Sequence, residues 1–224
     1  MSNPSPFGNH GNSGAIWCRI ARGKIVRQAT EGTPGAVRIE KKNREGEPTG
    51  EIMWELHDDT VSGRITSLTV KEREFHGEVV RQLIITLAFM DLRICVVLKE
   101  GDRYWRYFMM RLPNINTLHD VTLAPYDFEP QDGGRRIGLN ILQDGEKVQP
   151  VWTRDNPGEL PHMDRVVYKG KERADFTKQD EWLVKNILTP TAEKLAALDL
   201  QRTAATGEPE PEAVGGDDTD DLPF

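Results

Sequence analysis

Between residues 15 and 152 apolar and polar side chains alternate with a period of two, and β-branched residues are frequent in the alternating runs. That pattern predicts half-buried strands rather than helices. Ile16, Cys18 and Ile20 alternate with Trp17, Arg19 and Ala21. Val37 and Ile39 alternate with Arg38 and Glu40, and Ile52, Trp54 and Leu56 with Met53, Glu55 and His57. Two long strands are predicted over 61–75 and 78–89, about His76-Gly77, and Leu92, Ile94, Val96 and Leu98 extend them into a meander. A further hairpin is predicted from 136–142 and 147–152, because Asp144-Gly145 between them tolerates the positive φ of a tight turn. Over 102–112 the period changes: Tyr104, Trp105, Phe108, Met109 and Leu112 fall near one helical face, and Pro113 ends the run.

Strands, one short helix, then more strands predict a mainly β fold, an oligonucleotide-binding (OB) type Greek-key barrel, although other small β-barrels share that order. Residues 153–175, with Pro157, Gly158, Pro161 and Gly170, show little period and are expected to wrap the barrel as a long connection. Two helices should follow. Thr177 with Asp180 is the predicted N-terminal cap of one that buries Trp182, Leu183 and Ile187, and Thr189-Pro190 restarts a second through Leu195 and Leu198. The expected organisation is a disordered arm (1–14), a barrel (15–152), a connection with two helices (153–202) and a disordered tail (203–224).

The net charge of −7 is unevenly placed. Glu208, Glu210, Glu212, Asp217, Asp218, Asp220 and Asp221 follow residue 202 with no base among them, so removing these 7 from the 36 acids leaves 29, equal to the 29 bases. The entire excess lies in the tail. Residues 1–44 carry 8 bases against Glu31 and Glu40. A basic front and an acidic end suggest nucleic-acid binding by one part and charge-mediated regulation by the other.

The tail has too few branched apolar residues to offset the entropy of ordering. It ends Asp217-Asp218-Thr219-Asp220-Asp221-Leu222-Pro223-Phe224. A terminal Phe offers a ring for an apolar pocket and a carboxylate for a cation, Pro223 restricts the backbone, and the aspartates steer toward basic rims. This ending resembles the C-terminal tip of bacterial single-stranded DNA-binding proteins. The longer body with added helices looks more like the phage-encoded members of that class. The resemblance implies coating of exposed strands in phage DNA replication, recombination and repair in the host bacterial cytoplasm. It also implies recruitment of partners such as polymerase, helicase or nuclease through Asp217, Asp218, Asp220, Asp221, Leu222, Pro223 and Phe224.

Binding single strands without sequence preference needs cations along the backbone and aromatic faces for the bases. The candidates are Trp17 and Arg19, on the face opposite Ile16, Cys18 and Ile20, followed by Arg22, Lys24 and Arg27. Arg38 and Lys42 share an outward phase on the next strand. Lys71, Arg73 and Phe75 share one face of a long strand, with Arg64 on the other. Arg103, Arg106 and Tyr107 are weaker candidates on the polar side of the short helix, and Trp54 reads as core. In the absence of DNA the tethered polyanion would occupy the cationic groove.

Competing readings are an acidic-tailed adaptor or DNA mimic that binds no nucleic acid, and a metal-dependent nuclease built on His57-Asp58-Asp59, His119-Asp120 and the acids around Asp127, Glu129 and Asp132. Turn chemistry accounts for those acids, and no phosphate-binding loop, dinucleotide fingerprint or nucleophile elbow is present. No enzymatic activity and no cofactor is expected. Cys18 and Cys95, each in an apolar run and without a CxxC spacing, read as reduced core residues rather than a disulfide or zinc site. The apolar stretch 83–90 is too short to span a membrane, and a soluble protein is expected.

Overall fold

The computed structural model describes residues 14–206 except 44, 76, 77, 132, 154 and 169. The predicted N-terminal arm and acidic tip therefore lie outside the described residues, save Gly14 and the first residues of the tail segment.

Twelve strands form in the order β1 (Ala15–Ala21), β2 (Lys24–Ala29), β3 (Val37–Lys42), β4 (Pro48–Asp58), β5 (Val61–Phe75), β6 (Glu78–Phe89), β7 (Leu92–Lys99), β8 (Asp120–Phe128), β9 (Arg136–Gln143), β10 (Glu146–Lys147), β11 (Asp164–Tyr168) and β12 (Lys171–Asp175). Helix α1 (Arg103–Met109) separates β7 from β8, and α2 (Thr177–Leu183) and α3 (Thr189–Thr206) close the described chain. The first ten strands make one sheet in the order β10-β9-β8-β5-β6-β7-β1-β2-β4-β3. It is a mixed sheet, because β1 runs parallel to β7 while its other neighbours pair antiparallel.

Three successive strands with the fourth returning beside the first is a Greek key, and β8-β5-β6-β7 has that arrangement. β5 makes it possible by serving two partners. Its first residues, Val61 to Arg64, pair with β8, and Arg64 to Phe75 pair with β6. A bulge between Ile65 and Ser67 separates the two halves, and such an extra residue bends and twists a strand. The predicted closed barrel does not form. β7 takes β1 as its further neighbour, and the sheet ends in the edges β10 and β3. The curl nevertheless brings the β1–β2 turn against β8, where a side chain on Gly23 would meet the backbone of Tyr126 and Asp127 at 2.8 and 2.4 Å.

The core fills the inside of the curl. Ile16 and Cys18, Ile25, Ile65 and Leu68, Leu83, Ile85 and Leu87, Ile94, Val96 and Leu98, Leu123, Leu139 and Ile141 line it. Tyr104, Trp105, Phe108 and Met109 of α1 insert among them, as the helical periodicity requires. Asp102 caps α1 by accepting a hydrogen bond from the Trp105 amide at 2.7 Å, which satisfies an otherwise orphaned donor. Leu183, Leu188 and Leu195 cover the same core from the C-terminal helices.

Several expected elements differ. Of the strand predicted at 147–152 only Lys147 belongs to a strand, the two-residue β10, although Asp144 and Gly145 take the expected positive φ of 53° and 82°. Pro150 follows without an amide hydrogen to continue the ladder. The connection 153–175 holds its own hairpin, β11–β12, most of whose described residues are exposed. Asp175, not Thr177, supplies the side chain at the start of α2, accepting from the Thr177 amide and hydroxyl at 2.9 and 2.6 Å. Asp180 instead turns inward to hold Arg106 of α1 in a two-point pair at 2.9 and 2.8 Å, with Phe176 stacked 4.1 Å from the guanidinium. The second helix starts at Thr189 as expected, but with no break before it. One π turn (Val184–Leu188) joins α2 to α3, the response expected where Pro190 removes a donor and crowds the preceding turn. α3 then runs to Thr206, past the predicted tail boundary. No described helix is long and apolar enough to cross a membrane.

Candidate nucleic-acid interface

The outer face of the sheet is built by register. Four strands contribute cross-strand rows. Arg64 of β5 is opposite Ala88, which is opposite Arg93, which is opposite Ala15. The next row is Ser67, Thr86, Cys95 and Trp17, and the third is Thr69, Ile84, Val97 and Arg19. Lys71, Gln82 and Lys99 form the fourth. Cations therefore occupy the first and last rows and end the third, and between the outer rows the apolar Ile84, Cys95, Val97 and Trp17 form a stripe bordered by Ser67, Thr69 and Thr86.

Trp17 sits on that stripe, half-buried over Ile84, Cys95 and Val97, which are themselves buried and form a small cluster separate from the main core. Burial pushes the Cys95 thiol up, opposed by a hydrogen bond with Thr86 and by the charges of Arg93 and Lys71. Arg64, Lys71, Arg93 and Lys99 make no ion pair within the described residues. None of the side chains in the four rows is acidic. The acids of β5 face the other way: strand alternation puts Glu72 and Glu74 opposite the face of Lys71, and Glu72 pairs with Arg81 at 3.0 Å.

Of the residues singled out by sequence, Trp17, Arg19 and Lys71 lie on this face, and the register carries positions 73 and 75 in the phase of Lys71. The side chains of Arg73 and Phe75 lie outside the described ones. Arg19 is engaged by Glu55, a buried carboxylate that also holds His57 at 2.9 Å. Lys24 is on the same phase and pairs with Asp59. Arg22 is exposed in the β1–β2 turn with a φ of 51°.

Three placements correct the expectation. Arg27 is buried on the inner phase, opposite Leu56, where burial lowers its pKa against the attraction of Asp58. Arg38 is also on the inner phase, opposite Trp54, while Val37 and Ile39 take the outer one. The assumption that apolar residues face inward fails there because the β3–β4 hairpin overhangs the core: Val37 and Ile52 are 44% and 45% exposed, and Trp54 is half-buried outside the core cluster. Lys42 is exposed near the end of β3, past a second bulge. In the opposite direction, Arg64 was expected across from Lys71 but shares its face, because the bulge after Ile65 reverses the alternation. Arg93 and Lys99 were missed altogether. Their phase with Cys95 was the available signal, obscured by a strand so apolar that it reads as buried on both sides.

Several members of the acidic clusters considered for metal binding are engaged by other side chains, Asp59 by Lys24 among them, and Asp132 lies outside the described residues. His57 shares a hydrogen bond with Glu55, His119 shares one with Asp144 at 3.0 Å, and Asp127 takes a two-point pair from Arg135 that keeps its carboxyl below the usual range. No group of three ligating side chains that could hold a metal ion occurs among the described residues. Cys18, pushed up to about 12 chiefly by burial, and Cys95 lie on opposite faces of adjacent strands.

Comparison with known proteins yields no match to a family model, a curated protein or a solved structure.

The placement of Trp17 over Cys95 has a chemical consequence. In the folded protein both thiols should resist alkylation at neutral pH, and Trp17→Ala should raise the rate at Cys95 by roughly tenfold while leaving Cys18 protected. Mass spectrometry after a timed iodoacetamide pulse reads both sites. Equal labelling of Cys95 in the two proteins would place the indole elsewhere.

Proposed function

We propose that this chain binds single-stranded DNA without strong sequence preference on the outer face of β5, β6, β7 and β1. The observation that carries the reading is the stripe of Trp17, Ile84, Cys95 and Val97 between two rows of cations, Arg64 with Arg93 and Lys71 with Lys99. Bases stack on an aromatic face whatever their identity, and phosphates are held by flanking charge. The Greek key supports the same conclusion. With β5, β6, β7, α1, β8 and β9 read as the strands and helix of an OB-type barrel left open by the insertion of β1, the candidate face falls on its second and third strands, a surface such folds use for oligonucleotides.

The acidic tip, Asp217 to Phe224, completes the proposal as a docking peptide for other replication, recombination and repair proteins, in keeping with a phage-encoded single-stranded DNA-binding protein acting in the bacterial cytoplasm. A tip of this kind supplies aspartates for steering and a terminal ring and carboxylate for a pocket.

Fluorescence anisotropy with a labelled oligo-dT tests the reading. Binding should weaken as salt rises, with log K falling about 0.7 per phosphate contact for each unit of log salt, so the four cations give a slope near −3. Duplex DNA should compete poorly. No binding at low salt would leave the adaptor reading in its place.

A further inference from the structure

A second aromatic surface lies at the far end of β8, away from Trp17, and the face described above does not use it. Phe128 is 50% exposed at the end of the strand. Its ring lies 5.9 Å from that of Tyr126, and Tyr126 lies 6.4 Å from Tyr107 of α1, edge to face. Tyr107 in turn forms the rim of a cavity of about 280 Å³ that it shares with Met110, Pro150 and Trp152. Three rings thus lead from an exposed strand end to an open, largely apolar depression that Arg106, Arg111 and Thr153 also line.

Cations accompany the rings throughout. Arg136 is the cross-strand partner of Phe128, and both it and Arg111 act electrostatically on the Tyr126 hydroxyl. The Arg111 guanidinium lies 5.3 Å from the Tyr107 ring centre, but it is buried and held by the carbonyls of Val148 and Tyr107, so it supports the ring from behind rather than facing solvent. Arg22 stands exposed in the turn that abuts the Tyr126 and Asp127 backbone. Among the described residues, the carboxylates at this strand end include Asp127, already held by Arg135, and Glu129.

The backbone is shaped for this arrangement. A side chain at Gly138 would meet the Tyr126 hydroxyl at 2.3 Å, so glycine lets that ring lie across β9. A generic core needs no such strip, since Phe128 buries little and the rings are bordered by arginine rather than by leucine.

We propose that Phe128, Tyr126 and Tyr107, flanked by Arg136 and backed by the buried Arg111, form a second base-stacking track for single-stranded nucleic acid, ending in the pocket between Tyr107 and Trp152. The inference rests on the single-strand-binding reading and extends it: a longer strand engages the Trp17 face and this track together. Aromatic rings interleaved with arginine suit bases and phosphates, whereas an acidic peptide would use the charges and leave the exposed ring of Phe128 without a role.

Phe128→Leu and Arg136→Glu isolate the track, the first keeping apolar bulk while removing the π face. Affinity and occluded length are measured in full-length protein with oligo-dT of about 5 and about 15 nucleotides, within the range of site sizes for such folds. Affinity of the longer oligonucleotide is expected to fall roughly 5- to 100-fold, with a shorter occluded length, while thermal unfolding stays unchanged. Photo-cross-linking of iodouracil-substituted oligonucleotide should label Tyr126 or Tyr107. Unchanged affinity, length and cross-linking in a protein whose binding still depends on Trp17 would overturn the track and leave the parent reading standing. Wild-type protein that binds neither oligonucleotide would overturn both.

Discussion

Gly23→Ala is expected to destabilise the protein by about 2–5 kcal/mol, lowering the melting temperature by roughly 4–20 °C in a chain of this size. Two costs combine. Gly23 has a φ of +71°, where a Cβ crowds the following carbonyl, and the added methyl would sit 2.4 Å from the Asp127 amide nitrogen. Neither neighbour can move cheaply, because both contacts are backbone of a paired strand. The Gly23 amide also donates to the Tyr104 hydroxyl at 3.0 Å, a buried bond that ties the turn to α1. Gly134→Ala separates the two costs, since its φ of +81° is similar and no atom lies within 4 Å of the added carbon. That variant should lose only the conformational part, about 1–2 kcal/mol. Equal melting temperatures for the two variants would mean that the turn does not press on β8.

Trp17→Leu is expected to weaken binding of single-stranded DNA by about 1–3 kcal/mol, roughly 5- to 150-fold, with little change in stability. Leucine keeps an apolar cover over Ile84, Cys95 and Val97 but offers no ring to a base. Charge reversal at Lys71 and Arg93 should act differently. Each lysine or arginine removed takes one phosphate contact with it, so the double variant should flatten the salt dependence by about 1.4 in slope and weaken binding uniformly across sequences. Arg19→Ala should matter less, because Glu55 already occupies its guanidinium. Wild-type affinity in Trp17→Leu, with an unchanged salt slope in the double variant, would move the DNA off this face.

How far the candidate face was legible follows from the same residues. Trp17 and Lys71 could be assigned by alternation alone, because each sits on a strand with a buried opposite phase: Ile16 and Cys18 in one case, Leu68 in the other. Arg38 could not, since neither phase of β3 is buried and periodicity there reports no direction. Arg64 failed for another reason. A single extra residue at the bulge inverts every side chain beyond it, and nothing in Ile65-Thr66-Ser67 marks that insertion.

What the chain specified locally was the strands over 15–99 other than β2 (Lys24–Ala29), the Asp144-Gly145 turn, the short helix at 103–109 and the separation of anions into the tail. These follow from steric and solvation preferences that act between near neighbours. Only the tertiary structure decided that β1 runs beside β7, that Arg93 and Lys99 flank Trp17, and that Tyr107 meets Tyr126. Strand pairing joins residues far apart in the chain, and its register depends on the packing of the entire sheet rather than on any segment within it.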